Sequence, residues 1–412
     1  LVVEVPGRED PRPAVFPGME DLFMVKHRIA LSAAVLAAVA STSFAADGDC
    51  RVIVGFKGGV DTDALAKHGV NADDIQDHRA SGKVSASKIA ELRADPSVAY
   101  VEEDAIVQAS DKPEADGKPG NGGGSAVIAS DPAQVLQWGV KRVWNASTNP
   151  SAAGGANVKV AVIDTGIDTG HHDLVVSGGI SYVFFHPSYV DDNGHGTHVS
   201  GIIGARDNAI GVVGVAPKCS LWAVKVLDRN GSGYLSACAS GIDWAASHGM
   251  NVANMSWGSS SDSTTISNSC ANAYAKGVLL VAAAGNSGDG SKTTTETSYP
   301  AAYPSVVAVG ATDSSDGQPY WSNTGPYVAI SAPGVNIVST YKGNAYATMS
   351  GTSMASPHAA GLAAVLWSEA ASPTNATIRD LLLSHHAQHV ASVTTYPDAG
   401  YGFGIAFYPY LN

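Results

Sequence analysis

Five short apolar runs constrain this chain more than any other feature: Val158–Ile163, Leu221–Val226, Asn251–Met255, Val278–Ala284 and Val306–Val309. None alternates apolar with polar residues, as a strand with one wet face would. Each suits a strand buried on both sides, as in a parallel sheet covered by helices. Helical patterns lie around them at Tyr234–Ser247, Ser267–Lys276, Ser353–Glu369 and Ala376–Ser384. The expectation over 133–412 is an α/β domain, with a doubly wound, mostly parallel sheet and helices on both faces. In such a fold ligands bind beyond the carboxyl ends of the strands.

Composition narrows the partners. Of 412 residues, 45% are hydrophobic and 15% charged, which supplies a sizeable core and excludes disorder throughout. Asp plus Glu number 37 against 24 Lys plus Arg, a formal charge of −13. That balance excludes nucleic acid as a general partner. The 45 glycines, with so little charge, lean toward a secreted, loop-rich enzyme.

Several segments precede the α/β pattern. Basic Lys26-His27-Arg28 leads into the apolar run Ile29–Ala40, then small residues including Ser43 and Ala45. This is the layout of a secretory signal peptide over 24–45, cleaved after Ala45. The run is too short to span a membrane, and no other long apolar stretch follows. Residues 1–23 sit awkwardly ahead of such a leader, and the reading takes them as mistranslated upstream sequence with Met24 as the start. Residues 50–109 form a small unit with strands at Arg51–Phe56 and Val98–Glu103 and a helix at Ser87–Arg93. About 60 residues is marginal for independent stability, so this unit needs a partner surface. Residues 110–132 contain Gly120-Asn121-Gly122-Gly123-Gly124-Ser125, a flexible linker.

Three segments carry candidate chemistry. Val160-Ala161-Val162-Ile163-Asp164-Thr165-Gly166 ends a buried strand on a carboxylate. Asn193-Gly194-His195-Gly196-Thr197-His198 puts two histidines at a helix start. A zinc site would need a third ligand, and none is evident. Gly351-Thr352-Ser353-Met354-Ala355-Ser356-Pro357-His358 opens a long apolar helix, where a lone Ser reads as a cap. It also lacks the second Gly of an α/β-hydrolase elbow, Gly-x-Ser-x-Gly.

Together the three segments, in the order Asp, His, Ser, resemble the subtilisin-like serine proteases, or subtilases. The resemblance covers roughly residues 50–404. It implies a serine endopeptidase with Ser353 as nucleophile, His195 as general base and acid, and Asp164 orienting the imidazole. His198 and His358 are left as packed structural residues. Val281-Ala282-Ala283-Ala284-Gly285-Asn286 resembles the segment whose Asn donates to the oxyanion, which assigns Asn286 that role. All four positions hold competent residues, which disfavours an inactive binding protein on the same fold.

The resemblance also implies the substrate cleft. Gly231-Ser232-Gly233-Tyr234 and Ser256-Trp257-Gly258 match the edges between which subtilases pair an extended peptide. Ala282–Ala284, with Ala283 and Gly285, and residues 256–259 are expected to wall the first specificity pocket, with Ser298 near its floor. Tyr234, Ala237 and Trp257 are expected to shape the pocket three residues further upstream on the substrate. No acid is evident in these walls, so apolar or aromatic residues are preferred over basic ones. Asp95-Pro96-Ser97-Val98-Ala99-Tyr100-Val101-Glu102-Glu103-Asp104 resembles the end of the family's inhibitory propeptide. That implies a folding assistant that the enzyme cuts from itself near Ser110. The Gly-rich linker departs from the family and leaves the mature terminus open between Ala109 and Ala133.

Residues 206–212 resemble the family's calcium loop. The implied structural Ca²⁺ ligands are Arg206, Asn208, Ile210 and Val212, with Gln134 and Asp173, an oxygen-only set suited to a hard cation. A metal-free, Asn-rich loop is the alternative. Four cysteines in an exported chain permit disulfides, and the family layout favours Cys238–Cys270 over any bridge with Cys219. The reading as a whole is a secreted monomer acting on extended polypeptides, with its own propeptide as inhibitor and no nucleic-acid or membrane partner.

Overall fold

The computed structural model describes residues 48–109, 128–129, 131–149 and 151–408. The chain divides into units 1–42 and 43–412, and every described residue belongs to the second. The leader, the segment before it and nearly all of the Gly-rich linker lie outside the described residues.

A four-stranded antiparallel sheet opens the fold. It comprises β1 (Asp49–Phe56), β2 (Asn71–Gln76), β3 (Arg79–Ser85) and β4 (Val98–Glu103), in the order β2-β3-β1-β4. Helices α1 (Thr62–Lys67) and α2 (Ile89–Arg93) accompany it. Ile89 and Leu92 of α2 and Leu65 of α1 are buried in one apolar cluster with Val52, Val54 and Val101. The sequence reading anticipates β1, α2 and β4 but not α1, β2 or β3. β2 reads Asn-Ala-Asp-Asp-Ile-Gln, with no buried residue and only Ala72 and Ile75 apolar, three apart and out of a strand's period of two. Backbone pairing with β3 makes it one. Beyond β4 the chain forms β5 (Ile106–Ala109), then β6 (Ile128–Ala129), and enters the large domain through α3 (Trp138–Trp144).

The large domain holds β7 (Lys159–Asp164), β8 (Val176–Ser181), α4 (His195–Gly204), β9 (Ser220–Lys225), β10 (Ser232–Tyr234), α5 (Leu235–Ser247), β11 (Val252–Met255) and β12 (Trp257–Gly258). It continues with α6 (Thr264–Ala275), β13 (Leu279–Ala283), β14 (Val306–Thr312), β15 (Val328–Pro333) and the hairpin of β16 (Ile337–Tyr341) and β17 (Ala345–Met349). It closes with α7 (Thr352–Glu369), α8 (Asn375–Asp380), β18 (Ala387–Gln388) and β19 (Ile405–Ala406). The main sheet runs β18-β19-β15-β14-β13-β11-β7-β9-β8 and is parallel except at the β18–β19 pair.

Alternate residues of one strand serve two cores. Val160 and Val162 of β7 pack in one apolar cluster with residues of α4 and α7, while Ala161 and Ile163 pack in another with α5 and α6. The side-chain period of two sends neighbours to opposite faces, so both faces demand apolar residues and the runs do not alternate. Edge strand β8, Val-Ser-Gly-Gly-Ile-Ser, is only partly buried and gives no such signal. The helix expected over Ala376–Ser384 is α8 followed by a wider π turn, Leu381–His385.

The favoured Cys238–Cys270 bridge is corrected. These cysteines do lie on the adjacent helices α5 and α6, but all four cysteines are free thiols. Cys238 and Cys270 are wholly buried in the apolar cluster between sheet and helices, where they pack as small apolar groups. Burial pushes both thiols well above their ordinary pKa, away from the reactive thiolate.

Candidate active site

Asp164 is the last residue of β7, the strand flanked by β9 and β11 where the sheet order turns back. Its Oδ1 accepts from the Thr165 N–H at 2.7 Å and from His195 Nδ1 at 2.7 Å. Both the Asp164 and His195 side chains are shut off from solvent, so water does not compete for this bond. The acceptor fixes the imidazole tautomer: Nδ1 carries the proton and Nε2 is the basic nitrogen.

The start of α4 holds His195 in place. Gly194 sits at φ +116, a conformation that disfavours a side chain. Buried Asp191 accepts from the N–H groups of Asn193, Gly194 and Thr197 and from the hydroxyls of Thr165 and Thr197. The Thr165 hydroxyl accepts from Gly196 N–H, and buried Lys225 donates to Thr165 O, Leu227 O and Asp192. Asp191, Thr165 and Lys225 were missed in the sequence. Asp191 lies three residues before Gly194, which holds the cap position of α4, so no local helix-start signal marks it.

Ser353 stands in the first turn of α7, where the helix dipole favours developing negative charge. Pro357, four residues on, has no N–H and leaves the Ser353 carbonyl without its helical partner. The Ser256 hydroxyl supplies that bond at 3.0 Å, and the Ser353 hydroxyl donates in return to the Ser256 carbonyl at 2.9 Å. Asn254 donates to Ser256 Oγ at 2.9 Å and accepts from Ser356 Oγ at 2.6 Å. This closed network of buried polar groups ties the nucleophile's helix to β11, and sequence reading did not find Asn254 or Ser356.

Asn286 follows β13. Its Oδ1 accepts from both the N–H and the hydroxyl of Thr352, at 2.9 and 2.8 Å. This fixes the amide orientation and leaves the donor end directed away from Thr352. Gly285 has φ +107, and a Cβ there would lie 2.3 Å from Asn323 Nδ2. A pocket of about 280 Å³ adjoins Ala109, with Gly258, Gly285, Asn286, Ser298 and Asn323 in its wall. Its described lining carries no charge. Ala283 was assigned to that wall but lies fully buried within β13, away from the pocket surface.

A strand of the chain itself occupies the cleft. β5 lies antiparallel between β10 and β12, pairing Gln108 with Ser232, Val107 with Gly233, Ile106 with Tyr234 and Ala109 with Trp257. Ala109 N–H donates to Gly231 O at 2.9 Å. Gly258 pairs with Gln108. At Gly233 a Cβ would collide with the Val226 carbonyl, so only glycine lets β10 lie this close to that residue. Val107 is buried in the same apolar cluster as Leu235 and Trp257, whose Nε1 donates to Ile163 O at 2.9 Å. The predicted edges Gly231–Tyr234 and Ser256–Gly258 therefore converge on one strand. His198 and His358 are buried; His198 bonds the Ile337 and Ala347 carbonyls and His358 bonds that of Met354.

A model of the subtilase family matches residues 155–404. The chain belongs to the subtilase family. It is 45% identical over 302 residues to M-protease of Shouchella clausii (strain KSM-K16), covering 73% of this chain and 72% of that protein. It is 50% identical over 250 residues to Subtilisin Savinase of Lederbergia lenta, 61% of this chain and 91% of the relative. Subtilisin E of Bacillus subtilis (strain 168) is 44% identical over 309 residues, 74% of each. This subtilase is accordingly a subtilisin-type serine endopeptidase.

Residues 206–212, which the resemblance assigns to calcium, form a loop tied to Gln134 and Asp173. Asp173 is wholly buried; its Oδ2 accepts from Val212 N–H at 2.9 Å, while Oδ1 has no hydrogen-bond partner among the described residues. Burial pushes this carboxyl up to about 7. Gln134 Oε1 accepts from the Asn208 and Ala209 N–H groups, and Asn208 Oδ1 from Ile210 N–H. The buried, orphaned carboxylate oxygen, with the amide oxygens of Gln134 and Asn208 at the same loop, is an oxygen donor set that fits a hard cation. No cluster of three or more His, Cys, Asp or Glu among the described residues offers a competing site.

Proposed function

We propose that this endopeptidase cuts extended polypeptides through Asp164, His195, Ser353 and Asn286, and that its first substrate is its own N-terminal domain. The observation that carries this reading is the polypeptide strand paired between β10 and β12 on the way to Ser353. For attack, the Ser353 hydroxyl leaves the Ser256 carbonyl and gives its proton to His195 Nε2 as Oγ bonds the scissile carbonyl carbon. Asp164 stabilises the resulting imidazolium. The carbonyl oxygen becomes an oxyanion, met by Asn286 Nδ2 and the Ser353 N–H; in subtilisin itself the Asn donor is worth roughly 10²–10³ in rate. His195 then protonates the departing amine, the C–N bond breaks, and an acyl ester remains on Ser353. Water, deprotonated by His195, releases the carboxylic acid and restores the hydroxyl.

Ala109 N–H on Gly231 O supports Ser110 as the residue before the cut, with residues 50–109 as inhibitor until released. The uncharged pocket beside Ala109 supports broad specificity for neutral, apolar-leaning side chains over basic ones. A structural Ca²⁺ held by Gln134, Asp173 and Asn208 side chains and by the carbonyls of Arg206, Ile210 and Val212 would brace the loop after α4. It would supply no step of the reaction. The leader-like segment supports secretion, and no helix among the described residues is long and apolar enough to cross a membrane. The protein is read as a monomer whose partners are polypeptides, not nucleic acid.

The test is labelling by a serine-directed organophosphorus probe. Wild type should label and lose casein hydrolysis; Ser353→Ala should stay unlabelled and persist as uncut precursor, with activity down by about 10⁶, the loss known for this nucleophile in subtilisin. An unlabelled wild type that hydrolyses casein, with activity abolished by chelator, would replace the serine mechanism with a metal-dependent one. Maturation of purified Ser353→Ala in isolation would refute self-cleavage.

A further inference from the structure

The loop after β8 carries two aromatic residues that folding alone does not explain. Val183 to His186 form a four-residue turn closed by His186 N–H on Val183 O at 3.0 Å. Its third residue, Phe185, has φ +64, the left-handed region where such turns favour glycine. A bulky residue there is strained, and strain of this kind persists where function holds it. Phe185 gains little burial in return: it is 88% exposed, and neighbouring Phe184 is 54% exposed. The two rings stack edge-on, with centroids 4.2 Å apart.

The pair lines a cavity of about 550 Å³ at the upstream end of the substrate cleft. Tyr182, Pro187, Tyr234 and Ala237 form other parts of its wall, and Ile106 enters it from β5. Along β5 the side chains alternate: Val107 goes into the large-domain core, and Ile106 goes to the opposite face, toward the cavity. On release of the small domain its own contributions, Arg51, Asp73 and Asp74, depart and leave a surface dominated by aromatic rings. Of the remaining walls only Asp228 is acidic, and its Oδ1 is occupied by the Asn230 and Ser232 N–H groups.

We infer that the Phe184–Phe185 turn is a binding subsite for a bulky apolar substrate side chain, five residues upstream of the scissile bond. The occupant is assigned by continuity: a substrate paired with β10 in the register of β5 places its own residue where Ile106 now lies. The inference rests on the endopeptidase reading and on Ser110 as the residue before the cut. The subsite is separate from the pocket beside Ala109 and from the cluster that buries Val107.

The experiment uses the processed enzyme and internally quenched peptides identical except at the fifth residue upstream, which is Leu, Phe, Gly or Asp. Wild type should prefer Leu or Phe over Gly by about 5–20-fold in kcat/KM, within the range for an apolar contact. The difference should fall mainly in KM, as expected of binding remote from the reacting bond. In Phe184→Ala/Phe185→Gly the preference should shrink to about twofold or less, the contact having gone. Phe185→Gly alone should not lower the melting temperature, because glycine relieves the turn; a lowered one would mark Phe185 as structural and count against the subsite. A wild type indifferent to the fifth residue, or a double variant that keeps the preference, overturns the inference. If wild type cleaves none of the peptides, the endopeptidase reading itself falls and takes the subsite with it.

Discussion

Four helices start near the cleft, and they are satisfied in two different ways. The N-termini of α4 and α7, which carry His195 and Ser353, find their partners inside the large domain, in Asp191, Thr165 and Asn286. Those of α5 and α6 lie under carboxylates at the end of the small domain's last strand, Glu102 within β4 and Asp104 just beyond it. Asp104 accepts from the Ser236 N–H and hydroxyl, and Glu102 from the Thr264 and Thr265 N–H groups and the Ser263 hydroxyl. Arg79 adds a bond to Asp243 at 2.6 Å. Helix ends leave unsatisfied N–H groups that attract anions, so α5 and α6 form a receptor for the small domain. The active-site helices need no such guest. The candidate catalytic geometry therefore belongs to the large domain, while the small domain is held by contacts outside it.

The largest expected effect challenges that self-sufficiency. His358 lies within α7, and burial lowers its pKa to about 4 from an ordinary 6.5. A depressed pKa means the folded state binds fewer protons than the unfolded one. The stability concerned is whole above pH 6.5 and is lost as pH falls toward 4, a loss of roughly 3 kcal/mol. Buried His171 and half-buried His386 are lowered too, by desolvation, and act with the same sign. The melting temperature of the Ser353→Ala precursor should fall across that window, and less so in Ser353→Ala/His358→Gln. A flat profile of the Ser353→Ala precursor would remove His358 as the acid-sensitive point of α7.

Calcium would strengthen the large domain from outside the active site. If the loop at Asp173 binds it, chelation should lower the precursor's stability by about 2–3 kcal/mol relative to calcium at a hundred times its Kd. Asp173→Asn should be insensitive to chelator. Equal melting temperatures of the Ser353→Ala precursor with calcium and with chelator would leave the loop self-supporting.

The smallest effect should fall on the interface alone. Glu102→Ala removes acceptors from the start of α6 and should cost about 1–2 kcal/mol, the scale of a lost helix cap. Hydrogen exchange should quicken in β1–β5 and the first turn of α6, while α4 and α7 keep their protection. Acceleration throughout the large domain would mean the two sets of helices are not independent.

Much of the site could be read in the sequence because its signals are local. Asp164 ends an unbroken apolar run, His195 lies in Asn-Gly-His-Gly-Thr-His, and Ser353 and Asn286 sit in equally compact segments. The edges Gly231–Tyr234 and Ser256–Gly258 were legible for the same reason. Other features depend on partners far away in the chain. β2 is a strand only because β3 pairs with it, and Ala283 reads as pocket wall until its neighbours cover it. The Cys238–Cys270 pairing failed because adjacency of helices does not specify which side chains meet.

By itself the sequence determined the parallel α/β sheet, the Asp, His, Ser order of the candidate residues and the absence of an acid from the first pocket's walls. It did so because buried strands need apolar residues on both faces, and because the chemistry requires particular residues within short segments. Tertiary structure alone decided that Ser256 replaces the hydrogen bond that Pro357 denies to Ser353, across 97 residues of chain. It also decided that Glu102 caps α6 from 161 residues away and that Ile106 meets Phe185 at one cavity. A hydrogen bond or an apolar contact over such separations depends on where the backbone returns, and leaves no periodic trace in the residues it joins.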